Sequence, residues 1–235
     1  MKNLKIGVFT DSHFSSKEVT CGNRYNNLSL KKINAAFKYF LEEKCDLVIC
    51  LGDLIDKEDE HTKEIDNLKK ISEDLSKYHL RTYVLMGNHD AFAFDEDEFY
   101  DILGEQYRPV NEYACNKNLI FIDACYFKNG NHYRRGDSDW TDTYYPKTNE
   151  LETLLTDVTG NTYIFMHQNI DPAIREDHRL FNADDVRVIL EKSNKVKMVI
   201  QGHYHPGHKS EFNKILYVAY PAMCENESAY YVMEI

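Results

Sequence analysis

Short apolar runs of strand length alternate with segments of helical periodicity along the chain. Leu28, Ile33, Phe37 and Leu41 recur at helical spacing, which predicts an amphipathic helix over residues 29–44. Further helices are predicted over 63–78, 96–103, 149–155 and 183–192, the last with Asn182 as its N-cap. Strands are predicted over 4–10, 46–51, 82–86, 119–124, 162–166, 196–200, 215–219 and 229–233.

The order of these elements predicts the class of fold. Alternating strands and helices indicate an α/β protein with parallel strands and right-handed crossovers. The strand-rich C-terminal part adds antiparallel strands to this picture. Because no Pro-, Gly- or Ser-rich linker and no internal repeat interrupts residues 1–235, we expect a single domain.

Composition and charge narrow the range of partners. Hydrophobic residues make up 43% of the 235 residues, which supplies a large core and excludes intrinsic disorder. The formal net charge of −11 repels phosphate polymers, so neither nucleic acid polymers nor anionic membranes are expected as partners. Since there is no export signal, no apolar run of transmembrane length and no C-x-x-C pair, we expect a cytoplasmic protein with free thiols. The oligomeric state is left open.

Polar clusters follow five of the predicted strands at their C-terminal ends. In an open parallel sheet these ends face one crevice, where ligands bind, so clusters that are distant in sequence should converge there. Any one cluster alone is equally well explained as an ordinary polar loop. The clusters are Asp11-Ser12-His13, Gly52 to Asp56, Gly87 to Asp90, His167, and Gly202 to His205.

The residue types in these clusters indicate a metal site. Carboxylate, imidazole and amide ligands suit Mn, Fe, Zn or Mg ions, and the absence of cysteine excludes thiolate chemistry. The number of candidates fits two ions that share one bridging carboxylate, an arrangement that can clamp both oxygens in a phosphoryl displacement. The acidic runs 56–60 and 95–98 are interpreted as a solvated loop and a first helical turn. The candidate ligands are Asp11, His13, Asp53, Asn88, His167, His203 and His205.

The motifs D-x-H, G-D-x-x-D, G-N-H-D, a lone His and G-H-x-H, in this order, resemble those of the calcineurin-like metallophosphoesterase superfamily. The resemblance implies two packed mixed β-sheets flanked by helices, in a four-layer sandwich. It also implies that His89 contacts the substrate phosphoryl group and helps the leaving oxygen, oriented by Asp56. For the metals it implies one ion on Asp11, His13 and His205, a second on Asn88, His167 and His203, and Asp53 as the bridge.

General chemistry agrees with these roles. A hydroxide bridging two cations can attack phosphorus, and a carboxylate beside His89 should raise its pKa and favour the imidazolium form. Gly52 and Gly87 should let the chain turn sharply as it leaves a strand. His203 and His205 would point apart on a regular strand, so irregular backbone is required if both bind metal.

Substrate contacts are predicted for Arg24, Asn88, Asn169 and Tyr204. The stretch from Arg24 to Lys32 is similar to one in manganese-dependent ADP-ribose and CDP-alcohol diphosphatases, although His13 stands where those enzymes often carry Gln. Residues 126–146, with Arg134, Arg135 and Trp140, could form a substrate lid or a packed surface loop. The histidines outside the clusters are predicted to lie at the surface: His61, His79, His132, His178 and His208.

These features predict a metal-dependent hydrolase of a small phosphoester, with attack by the metal-bridging hydroxide. A nucleotide phosphodiester or diphosphate, either a cyclic nucleotide or an ADP-ribose-like compound, is the favoured substrate. The alternatives are a phosphomonoesterase of the same superfamily, a non-catalytic metal-binding scaffold, and a redox protein. The last would need an iron-bound Tyr like that of purple acid phosphatases, and none stands at the matching position.

Overall fold

A computed structural model describes residues 3–134 and 143–235. Within these ranges the chain forms ten strands and six helices, in an order that confirms the predicted α/β class. In chain order they are β1 Lys5–Phe9, α1 Ser29–Glu42, β2 Leu47–Cys50, α2 His61–Leu75, β3 Thr82–Val84, α3 Asn88–Ala93, α4 Glu96–Leu103, β4 Glu112–Ala114, β5 Lys117–Ile122, α5 Thr148–Asp157, β6 Asn161–Met166, α6 Ala183–Ser193, β7 Val196–Gln201, β8 His208–Phe212, β9 Ile215–Ala219 and β10 Tyr230–Glu234.

The strands form two mixed sheets, as the family resemblance implies. The four-stranded sheet has the order β10-β1-β2-β3, with β1, β2 and β3 parallel and β10 antiparallel to β1. The six-stranded sheet has the order β4-β5-β6-β7-β9-β8, in which only the outer strands β4 and β8 run antiparallel to their neighbours. Each sheet therefore has a parallel centre and an antiparallel edge.

Successive side chains of each strand point to opposite faces of its sheet, and this alternation explains the layered core. Val8 and Ile49 of the smaller sheet pack with Phe165 and Ile200 of the larger one, so these faces meet. Neighbouring strand residues such as Phe9 point the other way, against α1, α2 and α4. On the outer face of the larger sheet, α5 and α6 cover a third cluster. The result is the predicted sandwich of helices, sheet, sheet and helices.

Three short elements are absent from the sequence-based prediction, and two of them belong to tight hairpins. Cys115 and Asn116 link β4 to β5, and Asn213 and Lys214 link β8 to β9; all four residues have positive φ. In a sequence, two-residue turns of this kind are usually recognised by the pairs Asn-Gly or Asp-Gly, and neither turn contains such a pair. The third, α3, is only six residues long and begins inside the G-N-H-D motif.

Two further observations complete the fold. Asn182 does stand at the N-cap of α6, but its side chain makes no capping bond. Instead it accepts from the Tyr145 backbone N–H and donates to the Tyr145 carbonyl, each at 3.0 Å. Among the described helices, none is long and apolar enough to cross a bilayer.

Candidate metal centre

The five predicted clusters all meet at the C-terminal edge of the parallel strands. The loops there have unusual backbone conformations: φ is +52° at Asp11, +44° at His13, +52° at Asp53 and +64° at His203. Such left-handed conformations are uncommon for residues other than glycine. The irregular backbone expected at His203 is therefore confirmed, and it allows His203 and His205 to turn toward the same centre.

One half of the centre, which we call side one, consists of Asp11, His13 and His205. Asp11 Oδ1 lies 3.4 Å from His205 Nε2 and 3.7 Å from His13 Nε2, and the two imidazole Nε2 atoms are 3.3 Å apart. The other carboxylate oxygen of Asp11 is occupied, because it accepts from Thr10 Oγ1 at 2.6 Å and from the His203 N–H at 2.9 Å. Three ligand-type atoms thus face one small space.

The other half, side two, consists of Asn88, His167 and His203. Asn88 Oδ1 lies 3.2 Å from His167 Nε2, and the rings of His167 and His203 have centroids 5.1 Å apart. Asp53 stands between the two sides, since its Oδ2 lies 3.5 Å from His13 Nε2 and 3.3 Å from His167 Nε2. The structure therefore gathers the other six predicted ligands around Asp53.

His89 and Asp56 form a pair beside this centre. His89 Nδ1 lies 2.7 Å from Asp56 Oδ1, and the His89 backbone N–H donates to Asp53 Oδ1 at 2.8 Å. Asp56 Oδ2 accepts from Asn26 Nδ2 at 2.9 Å and also from Thr20 Oγ1. Asp56 and Glu58 are buried rather than solvated, so the interpretation of the 56–60 run as a solvated loop is wrong at these two positions.

Two glycines allow the loops to approach one another, for different reasons. Gly52 has φ +112°, the sharp turn that was predicted. Gly87 is not left-handed; instead, a Cβ there would lie 2.2 Å from Asp53 Oδ1. Gly87 is therefore required by the close approach of Asp53 and not by a turn, which corrects the prediction for this residue.

The charged side chains of the centre compensate one another. Burial opposes ionisation of Asp53, but His167 and His89 outweigh it and hold the pKa of the carboxyl below its usual value. Burial also works against the charge on His13 and His167, yet their carboxylate neighbours raise the pKa of each to about 9. His203, which is buried beside His167, has its pKa lowered to about 3.

The direction expected for His89 is wrong. Burial and the nearby charge of His13 lower its pKa despite the attraction of Asp53 and Asp56. A carboxylate partner alone would raise the pKa of His89, but desolvation makes the largest contribution here and lowers it.

The donor set fits metal ions. In the described part of the chain, Asp11 Oδ1 is buried without a hydrogen-bond partner, which is costly unless a ligand satisfies it. Ligand atoms of Asp53, His167 and His203 all lie within 4.8 Å of one another, and so do those of His13, Asp53 and His89. Carboxylate and imidazole atoms so grouped suit Mn, Fe or Zn.

The predicted substrate contacts have different outcomes. Arg24 lies at the rim, with Nη1 4.0 Å from Asp56 Oδ2, and Tyr204 lies beside His205 with its ring against His178. Asn169 is fully buried; it donates to the Gly202 carbonyl at 2.9 Å and accepts from Gln201 at 3.0 Å. Both the nitrogen and the oxygen of its amide are hydrogen-bonded within the protein. The structure therefore does not place Asn169 in contact with substrate; instead the side chain supports the loop at Gly202.

The predicted lid is only partly described. Arg135 and Trp140 belong to residues 135–142, which lie outside the described residues. In the flanking parts, Tyr133 is buried against Phe92 and Phe127, and Tyr145 is also buried. These flanks are packed, and the lid stays a prediction.

Sequence reasoning missed several residues around the centre. Cys224 has its sulfur near the ring nitrogens of His13 and His205, although burial raises the pKa of the thiol and keeps it neutral. His178, predicted at the surface, has its ring centroid 6.1 Å from that of His203. Glu225 contacts His205, and the buried Lys32 donates to the Met223 carbonyl at 2.8 Å. Cys224, Glu225 and His178 lie outside every quoted motif. Lys32 ends the stretch that begins at Arg24, but no sequence signal indicated its contact with Met223.

Comparisons with known proteins agree with this geometry. A family model described as calcineurin-like phosphoesterase matches residues 4–207. The chain belongs to this family. It is 28% identical over 229 residues to a "Probable cyclic nucleotide phosphodiesterase" of Coxiella burnetii, covering 94% of this chain and 84% of that protein. It is 25% identical over 228 residues to a 3',5'-cyclic-nucleotide phosphodiesterase of Nostoc, covering 94% and 79%.

A similar solved structure supports the fold. A dimetal phosphatase from Danio rerio superposes with a TM-score of 0.83 at 16% identity, covering 97% of this chain and 91% of the other. Membership of the calcineurin-like phosphoesterase family, together with the two relatives named as phosphodiesterases, identifies the chain as a dinuclear metal-dependent phosphoester hydrolase.

Proposed function

We propose that the centre holds two Mn, Fe or Zn ions and hydrolyses a small nucleotide phosphodiester, with a cyclic nucleotide as the preferred substrate. Asp11, His13 and His205 hold one ion in this proposal, and Asn88, His167 and His203 hold the other. The observation that carries the assignment is the position of Asp53 Oδ2, within 3.5 Å of His13 and 3.3 Å of His167. A carboxylate so placed can be shared by two ions.

Two observations favour a small nucleotide. Two relatives aligned over nearly the whole chain carry the name of cyclic nucleotide phosphodiesterases. The net charge of −11 disfavours long polyanions while leaving a small anion able to reach a cationic centre. A diphosphate such as an ADP-ribose-like compound is the second candidate, because the stretch around Arg24 is similar to that of diphosphatases.

The protein's own groups then complete the reaction. When bound, the ions supply Lewis acidity toward phosphoryl oxygens and lower the pKa of water. His89 lies beside Asp53 and is fixed by Asp56, so it can contact the phosphoryl group and deliver a proton to the leaving oxygen. The negative charge of an arriving phosphodiester raises the low pKa of His89, which favours the protonated form when substrate is present. Arg24, at the rim, offers a cation to a second phosphate or a ribose.

A substrate panel tests this proposal. The metal-free protein is reconstituted with Mn²⁺ and assayed on 3',5'- and 2',3'-cyclic nucleotides, ADP-ribose, CDP-alcohols, dinucleotides and aryl phosphate mono- and diesters. We expect the highest kcat/KM for a cyclic nucleotide, greater activity on the aryl diester than on the monoester, and loss of both after EDTA treatment. Preference for monoesters would overturn the substrate assignment. Stoichiometric Mn²⁺ without turnover on any compound would instead support the scaffold alternative.

A further inference from the structure

The imidazole of His205 makes a short contact on the side that faces away from the centre. Its Nδ1 lies 2.5 Å from Glu225 Oε1, while its Nε2 faces Asp11 Oδ1 at 3.4 Å. Both side chains are mostly buried, with 14% of His205 and 22% of Glu225 exposed. A carboxylate in this position accepts the Nδ1–H, which leaves the Nε2 lone pair available for a cation. We propose that Glu225 is a positioning residue that fixes the orientation and tautomer of His205 for metal binding on side one.

The surroundings make Glu225 a rigid partner. Its other oxygen accepts from Asn23 Nδ2 at 3.3 Å, which orients the carboxylate. Its segment is tied to both ligand loops by backbone bonds of 3.0 Å: the Ala222 N–H donates to the His205 carbonyl, and the Cys224 N–H donates to the Asp11 carbonyl. A side chain on so fixed a segment can hold an imidazole in one geometry.

The other histidines show why Glu225 matters to side one in particular. His167 on side two directs its Nδ1 to the Leu51 carbonyl at 3.0 Å, so the backbone performs the same task there. His13 Nδ1 lies 3.8 Å from Asp56 Oδ1, which is beyond hydrogen-bond distance. Of these three rings, His205 is the one whose orientation depends on a short side-chain contact.

Binding of Mn²⁺ to the metal-free protein tests the proposal, which rests on the proposed function. We expect Glu225→Ala to weaken one of two Mn²⁺ sites by about 10–100-fold, measured from free Mn²⁺ by EPR, with a smaller loss for Glu225→Gln. Glu227→Ala is the matched control, because it removes the same charge from an exposed position two residues away. In the wild-type apoprotein, ¹⁵N NMR of the rings should show the Nδ1–H form of His205, and Glu225→Ala should lose that preference.

The outcomes separate this proposal from the proposed function. If the wild type and Glu225→Ala bind two ions equally well, or if Glu227→Ala weakens binding as much, the positioning role is overturned. The titration is repeated with Zn²⁺ and Fe²⁺ if the wild type binds no Mn²⁺, and if it binds none of the three ions, the proposed function and this inference both fail. Glu225→Gln keeps the size and an acceptor oxygen, so it provides the measurement if the alanine variant does not fold.

Discussion

The two sides of the candidate metal centre are held by different kinds of contact. On side two, the backbone carbonyl of Leu51 fixes His167 at the end of a buried strand. On side one, the Glu225 carboxylate contacts His205, and Lys32 of α1 holds the Met223 and Cys224 carbonyls next to it. A backbone contact survives any substitution at its own position, whereas a side-chain contact does not. Side one is therefore the half that mutation can adjust without altering the sheet.

The largest effect should come from the residue that both sides share. Asp53→Asn removes the shared charge, and we expect a loss of turnover of more than about 100-fold together with weaker binding of both ions. Loss of a direct metal ligand should cost more than loss of a residue that only contacts a ligand, for which about 10–100-fold is usual. Metal content and kcat/KM measure this. Asp59→Asn, in an exposed position on the same loop, should change neither. If the variant keeps both ions and full activity, Asp53 is not a metal ligand.

A substitution of His89 should slow the reaction without weakening metal binding on either side. His89→Asn is expected to lower kcat by about 10²–10⁴-fold, the usual range for loss of an acid–base group, while both ions stay bound. Elemental analysis and steady-state kinetics on the same sample measure the two effects. The exposed His79→Asn serves as the control. Loss of an ion along with activity would mean that His89 acts as a ligand instead.

Lys32 offers a test confined to side one. Lys32→Met removes the two hydrogen bonds that the Lys32 ammonium donates to the Met223 and Cys224 carbonyls, so the free energy of unfolding should fall by about 2–3 kcal/mol. One Mn²⁺ site should weaken severalfold while the other is unchanged. Urea unfolding and Mn²⁺ titration check this against Lys31→Met, the exposed neighbour. An equal effect on both sites would show that the two sides are not held independently.

The smallest effect should lie outside both sides, at His132 and Asp123. His132 Nε2 is 3.0 Å from Asp123 Oδ2; despite burial, this contact raises the pKa of His132 and lowers that of Asp123. The stability from the raised histidine pKa is present below about pH 6.5 and is lost as the pH rises through the folded pKa. His132→Gln should thus cost about 1.5 kcal/mol at pH 5.5 and less at pH 9 in urea unfolding. A constant or growing cost with pH would contradict the ion pair.

The sequence predicted the layers well because they depend on local patterns. Alternation in β1 sends Val8 and Phe9 to opposite faces, and the helical spacing of Phe37 and Phe40 predicts the buried face of α1. The ligand clusters were also predictable, since each directly follows a strand whose end must lie at one edge of the sheet.

The features that could not be predicted from the sequence depend on contacts between distant segments. Glu225 lies in a loop whose course no local pattern determines, and the contact of Lys32 of α1 depends on where that loop runs. The pKa of His89 depends on burial and on His13, neither of which is visible in the G-N-H-D motif. The hairpins around Asn116 and Lys214 use positive φ without glycine, so their strands β4 and β8 escaped prediction.

The left-handed backbone at Asp11 and Asp53 has an evolutionary consequence. Asparagine adopts this conformation more readily than the other neutral replacements of aspartate do. It would also remove a carboxylate whose charge His13 and His167 compensate, and the lowered pKa values of Asp11 and Asp53 mean that this charge stabilises the folded protein. We therefore expect Asp→Asn exchange at these two positions to lower heat resistance as well as turnover, so selection for stability and selection for activity favour the same residues there.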